Sequence, residues 1–192
     1  PDKTVFAPRF DWWFGEPKIF KGVETPDGNA VFSLIAPELQ DGAQVNIDTG
    51  GGWGNHAYSL LKDAGVPVAG MLGSGGSLLN DRSGLLFFLN KRAEWWWGLR
   101  EALDPKLGAG LALPPGREVL ADLVAPRWEA PKNHSGKIRI ETKPDIIARL
   151  GRSPDIGDAI VYAYAKEQPV NQRPERGNAR RVVGARTQRR SR

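Results

Sequence analysis

Three carboxylates carry most of the chemical content of this chain: Asp48, Asp155 and Asp158. Asp155 and Asp158 stand three apart in the run Arg152-Ser153-Pro154-Asp155-Ile156-Gly157-Asp158-Ala159. Ser153 as N-cap and Pro154 as first helical residue begin a helix there. Both acids then fall in its first turn, on one side. Taken alone they would only complement the helix dipole, worth about 0.3–1 kcal/mol each. Asp48 ends an apolar strand, at the carboxyl edge where α/β sheets collect their sites. By itself it could simply cap its own turn. Brought together, the three acids repel and raise one another's pKa. A hard divalent cation removes that conflict, and an all-oxygen donor set selects Mg²⁺ or Mn²⁺ over zinc. Two such ions about 3.5–4 Å apart are common machinery for cleaving a phosphodiester. One activates water and the other steadies the leaving oxygen.

Other chemistries are excluded or weakened. The glycine-rich turn Thr49-Gly50-Gly51-Gly52-Trp53-Gly54 follows Asp48 and lets a backbone or phosphate come close. It fits no Walker pattern, and no G-x-x-x-x-G-K-[ST] occurs anywhere, so the chain carries no nucleotide-hydrolysing P-loop. The absence of cysteine excludes disulfides and thiolate metal sites. His56 and His134 lack partner spacing and read as structural or exposed. No apolar run approaches a membrane span and no signal-peptide pattern is present. The chain starts at Pro1 and its only methionine is Met71, so we read it as a piece of a longer protein.

The elements that must position the acids alternate. Residues 3–10 and 18–20 read as strands of a hairpin about the turn Phe14-Gly15-Glu16-Pro17. Residues 30–39 read as a short helix troubled by Pro37. Residues 43–48 form a strand with Val45 and Ile47 on one face and Asn46 and Asp48 on the other. Residues 55–64 are helical by the spacing of Ala57, Leu60, Leu61 and Ala64, and Gly65 stops them. Residues 66–71 are the next strand, parallel to the previous one. A loop with four glycines over 73–84 precedes a helix over 90–103. That helix holds Trp95, Trp96 and Trp97, which cannot share one face, so at least one must reach a surface or second element. In general such tryptophans are core residues rather than a stacking platform. Arg92 and Glu94 pair with neighbours and brace the helix. A helix over 117–124 follows. Strands 127–129 and 137–141 pair around the loop 130–136, and the last helix runs from 154 to about 166. The order implies an α/β fold with a mixed sheet.

Those acids sit in a family order. The chain, over residues 1–165, resembles the nuclease domain of the large terminase subunit of tailed bacteriophages, a ribonuclease-H-like fold. Four stretches carry the resemblance: Asp2-Lys3-Thr4-Val5, Val45-Asn46-Ile47-Asp48 with its glycine turn, Asn90-Lys91-Arg92-Ala93-Glu94-Trp95-Trp96, and residues 152–159. It implies a mixed β-sheet flanked by helices, with an added β-hairpin before the last helix. It implies a metal site made by an Asp on the first strand, one on a later strand and one on the last helix. The later-strand position maps onto Asp48 and the helix position onto Asp158, with Asp155 as second or supporting ligand. The first-strand Asp would lie a few residues before Pro1, so the domain reads as truncated through its first strand. Asp2 resembles an auxiliary acid just downstream, and Asp11 lies on the wrong part of the hairpin to substitute.

The resemblance further implies a Mg²⁺- or Mn²⁺-dependent endonuclease, using two ions, that cuts concatemeric viral double-stranded DNA during packaging. Its partners would be DNA, the portal protein, the small terminase subunit and an N-terminal packaging ATPase of the same parent chain. It would act in the host bacterial cytoplasm, at the procapsid, with no membrane. Arg127, Lys137, Arg139 and Lys143 are candidate DNA contacts; strand alternation puts Lys137 and Arg139 on one side. Such contacts would bind phosphates without reading sequence. Residues 166–192 hold nine Lys/Arg against Glu167 and Glu175, leaving 18 basic and 20 acidic residues in the body. We expect a flexible basic tail, either solubilising or anchoring. The alternatives are a junction resolvase or transposase-like nuclease of the same superfamily, and a non-catalytic module that docks to DNA or portal.

Overall fold

The computed structural model describes residues 3–40, 42–106, 110–129 and 136–170. Asp2, His134 and nearly all of the basic tail lie outside them. Nine strands and six α-helices follow in chain order among the described residues. Strand β1 (Lys3–Phe6) pairs antiparallel with β4 (Lys18–Lys21), Lys3 opposite Lys21. Between them a second small hairpin joins β2 (Arg9–Phe10) to β3 (Trp13–Phe14). The strand expected over 3–10 is therefore broken after Phe6, at Ala7-Pro8. The inner turn sits at Asp11, which takes a positive φ of 48°, rather than at residues 14–17.

Helix α1 (Gly28–Ile35) starts where Asp27 accepts a bond from the Ala30 N–H at 2.9 Å. Pro37 converts its expected end into a 3₁₀ turn, Ala36–Glu38. Strands β5 (Val45–Asp48) and β6 (Val68–Met71) run parallel, Asp48 opposite Met71, with α2 (Asn55–Asp63) between them in sequence. A two-residue strand, β7 (Phe87–Phe88), then joins a three-stranded sheet in the order β7-β9-β8, with β7 parallel and β8 (Trp128–Glu129) antiparallel to β9 (Lys137–Ile140). The pairing of 127–129 with 137–141 is as expected; β7 carried no periodicity long enough to detect.

Helix α3 (Lys91–Leu103), capped by Asn90, buries all three consecutive tryptophans. They manage this by facing two cores. Trp95 and Trp96 pack with Met71, Leu99 and Ile160. Trp97 packs with Phe88, Ala93 and Ile138. A third cluster gathers Ile35, Leu61 and Val68. Helix α4 (Arg117–Leu123) follows. Helix α5 (Lys143–Leu150) was not anticipated, although Thr142, Pro144 and Gly151 mark its two ends.

Helix α6 (Asp155–Tyr164) begins one residue later than Ser153-Pro154 predicts and ends two residues earlier than 166. Pro154 holds the cap position without a side-chain bond. The capping oxygen comes from afar: Asp122 Oδ2 on α4 accepts the Ile156 and Gly157 N–H groups at 3.0 and 3.4 Å. Asp122 is buried, and Arg152 neutralises it through Oδ1. Among the described residues no helix is long and apolar enough to cross a membrane.

One ion pair fixes α5 to the end of β9. Arg149 grips Glu141 with two nitrogens, Nε to Oε1 at 3.0 Å and Nη2 to Oε2 at 2.6 Å. That grip holds the Glu141 carboxyl at about 2, below its ordinary 4.5. The unfolded chain therefore takes up a proton first as pH falls. The pair's stabilisation is intact above pH 4.5 and is lost as pH drops toward 2. Thermal melts across that window should show a shallower acid loss for Glu141→Gln than for wild type. Equal slopes would mean that the pair does not persist in solution.

Candidate active site

Asp48 ends β5, and Asp155 and Asp158 open α6; the fold brings these two ends together at one cleft. Helix α6 packs against both β1 and β5, and residues of both strands line the cleft. The third element is α5, whose first residue, Lys143, reaches into the acids. Its Nζ lies 3.0 Å from Asp155 Oδ1 and 3.6 Å from Asp158 Oδ2.

Each acid is held differently. Asp158 is only 5% exposed. Arg92 of α3 donates from Nη1 to its Oδ1 at 2.7 Å, which leaves Oδ2 facing Lys143. The Arg92 guanidinium rests over the Trp96 ring, 5.5 Å from its centroid, and its Nε and Nη2 are buried without a partner among the described residues. Asp155 accepts from Ser153 Oγ at 2.6 Å. Asp48 accepts the Gly50 N–H through Oδ1 at 2.8 Å, while Tyr162 Oη donates to Oδ2 at 3.4 Å.

The charges act on one another. Loss of surrounding water pushes the Asp48 carboxyl up, and Asp158 adds to this; the Gly50 N–H and Lys143 oppose it without winning. Burial alone would lower Lys143, but the charges of Asp158, Asp155 and Asp48 outweigh it and raise its pKa. Tyr162 is pushed well up, first by burial and then by the charges of Asp48 and Asp158, so it stays a neutral donor.

The donor set suits a hard cation in chemistry, being all oxygen, and one positive charge already sits among the three acids as Lys143. It falls short in number. Among the described residues no group of three His, Cys, Asp or Glu side chains could hold a metal ion together.

Of the expected DNA contacts, only Lys143 lines this cleft. Lys137 and Arg139 are exposed on β9, on the face opposite buried Ile138, as alternation requires. Arg127 precedes β8, and its N–H donates to Glu141 Oε2 at 3.1 Å. Arg92 does more than brace its helix. Tyr162 was missed, although its place one helical turn after Asp158 was a readable signal.

This fold is the ribonuclease-H-like one of phage terminase nuclease domains. The solved nuclease domain of the large terminase subunit gp2 of bacterial virus Sf6 matches 87% of this chain and 84% of its own length, with a TM-score of 0.66 and 21% identity. A lysine-to-alanine mutant of that domain with manganese and β-thujaplicinol gives 0.65 at 21% identity, over the same shares of both chains. The mutant with calcium gives 0.66 at 20% identity, again over 87% and 84%. At such identities the likeness is one of fold. No family model matches the chain, and no curated protein matches its sequence.

Proposed function

We propose that this chain is the nuclease domain of a bacteriophage terminase large subunit, a metal-dependent endodeoxyribonuclease that cuts concatemeric double-stranded DNA. One observation carries the reading. A strand-end acid and two acids of the last helix converge on a single positive charge, on the fold that terminase nuclease domains use. The cofactor would be Mg²⁺ or Mn²⁺, as two ions, supplying activated water and a stabilised leaving oxygen. Asp158 would contribute through Oδ2, because Arg92 occupies Oδ1. Asp48 would contribute from the end of β5, and Asp155 beside them or in support.

The family's first strand, expected upstream of Pro1, would supply a further acid. Among the described residues β1 pairs only with β4 and β5 only with β6, and residues of both pairs line the cleft. One more extended strand between them would bring its own acid beside Asp48. We assign that place to the family's first strand. DNA lying over the cleft and across β9 would meet Lys137 and Arg139. The portal protein, the small subunit and an N-terminal ATPase would be the partners, at the procapsid in the host cytoplasm.

The test is plasmid nicking with Mn²⁺, using the protein extended upstream of Pro1 by about 15 residues, the reach of one strand and turn. Wild type should nick and chelation should stop it. Asp48→Asn should abolish nicking while raising Tm. The folded chain holds the Asp48 proton more readily than the unfolded chain, so the charged carboxylate weakens folding above its folded pKa, and that penalty disappears as pH falls. If the extended protein leaves plasmid intact, and Asp158→Ala behaves as wild type, the reading is wrong. Cutting of branched DNA far above linear duplex would move the assignment to a junction resolvase.

A further inference from the structure

Among the described residues, no hydrogen bond or ring contact holds Trp53 in place. It is 88% exposed, the most exposed of the seven tryptophans. Most of the others are engaged. Trp13 stacks on Phe10 with centroids 4.4 Å apart, Trp95 meets Tyr162, Trp97 meets Trp128, and Trp96 lies under Arg92. Leaving an indole in water forgoes the burial of roughly 150–250 Å² of surface.

Its backbone, by contrast, is built with care. The turn that carries it starts at Asp48, whose own carboxylate takes the Gly50 N–H. Gly51 and Gly52 have φ of 74° and 88°, values that favour glycine. The Gly52 N–H bonds the Thr49 carbonyl, and the Asn55 N–H bonds the Gly52 carbonyl. Gly54 lies so close to the Asp48 carbonyl that a Cβ there would overlap it. Trp53 is thus presented by a tied turn that lines the same cleft as Asp48, Asp155, Asp158 and Lys143, and Arg117 and Arg152 also line that cleft. An exposed indole lining the same cleft as cations and acids suits a stacking platform on a phosphate-binding groove.

We propose that Trp53 stacks on a nucleobase of the bound DNA, so that the cleft prefers DNA with unpaired bases over intact duplex. The proposal rests on the nuclease reading. An indole can stack only on a base face, and a paired duplex hides those faces between neighbours. The preference therefore separates stacking from plain phosphate attraction, which ignores sequence and is stronger on the more highly charged duplex.

The test measures affinity by fluorescence anisotropy in Ca²⁺ buffer at fixed salt. One labelled duplex carries a central bubble and its counterpart is fully paired. Wild type should bind the bubble more tightly. Trp53→Ala should weaken bubble binding roughly fivefold to a hundredfold, the range for losing one base stack, and change paired-duplex binding by no more than about twofold. Trp53→Phe should restore most of the loss, and Trp12→Ala, off the cleft, should behave as wild type. Wild type that binds DNA with an unaffected Trp53→Ala, or with equal loss on both duplexes, overturns the proposal alone. Wild type that binds neither duplex overturns both the proposal and the nuclease reading.

Discussion

Asp158→Ala is expected to cost about 3–5 kcal/mol of folding stability, in addition to abolishing any cleavage, because it strands a buried cation. Arg92 is held from one side by Asp158 Oδ1 and from another by the Trp96 ring. Two of its three guanidinium nitrogens are already buried without hydrogen-bond partners among the described residues. Removing the carboxylate leaves a buried positive charge with only the ring to answer it, and repair would require water to enter or α3 to shift. Urea titration reads the effect as a lower midpoint at an unchanged slope. The double variant Arg92→Met/Asp158→Leu removes both charges and should recover much of the loss, since an apolar pair can match a buried ion pair in stability. It should stay inactive. If Asp158→Ala keeps wild-type stability, the Arg92 pair is not buried as described.

Gly54→Ala is expected to be the most damaging single methyl group that can be added near the site. A Cβ at that position overlaps the Asp48 carbonyl oxygen and lies 2.9 Å from its carbon. Both atoms are backbone, so no side chain can swing aside, and the turn must move or β5 must let go of its last residue. Overpacking of this kind costs about 1–3 kcal/mol or more. The turn carries both the position of Asp48 and the presentation of Trp53, so nicking and bubble-DNA preference should fall together. Gly76→Ala, where an added Cβ meets nothing within 4 Å, serves as the matched control. Equal melting temperatures for the two variants would show that the β5–α2 turn is looser than described.

Much of the frame is legible in the sequence. The parallel pair of Val45–Asp48 and Val68–Met71, the helix between them, the pairing of β8 with β9 and the existence of a last helix carrying Asp155 and Asp158 all follow from local pattern. Alternation and helical spacing are properties of consecutive residues, and burial enforces them. Where the reading slipped, something distant had decided. Ser153-Pro154 points to a cap one residue early because the oxygen that caps α6 belongs to Asp122, more than thirty residues away. Nothing in residues 152–159 encodes that.

The candidate site divides in the same way. The identities and spacing of Asp48, Asp155 and Asp158 were enough to raise the expectation of a hard-cation site, because carboxylate donors and their cation preference are intrinsic to the side chains. Which charges would face them was not. Lys143 read as one of four surface cations, yet an unanticipated helix delivers it alone of the four into the cleft. Arg92 and Tyr162 join Asp158 and Asp48 across 66 and 114 residues of chain. The sign and size of a charge are local, but its partner is chosen by packing. Electrostatic energy depends on separations of a few ångströms that only the folded chain creates.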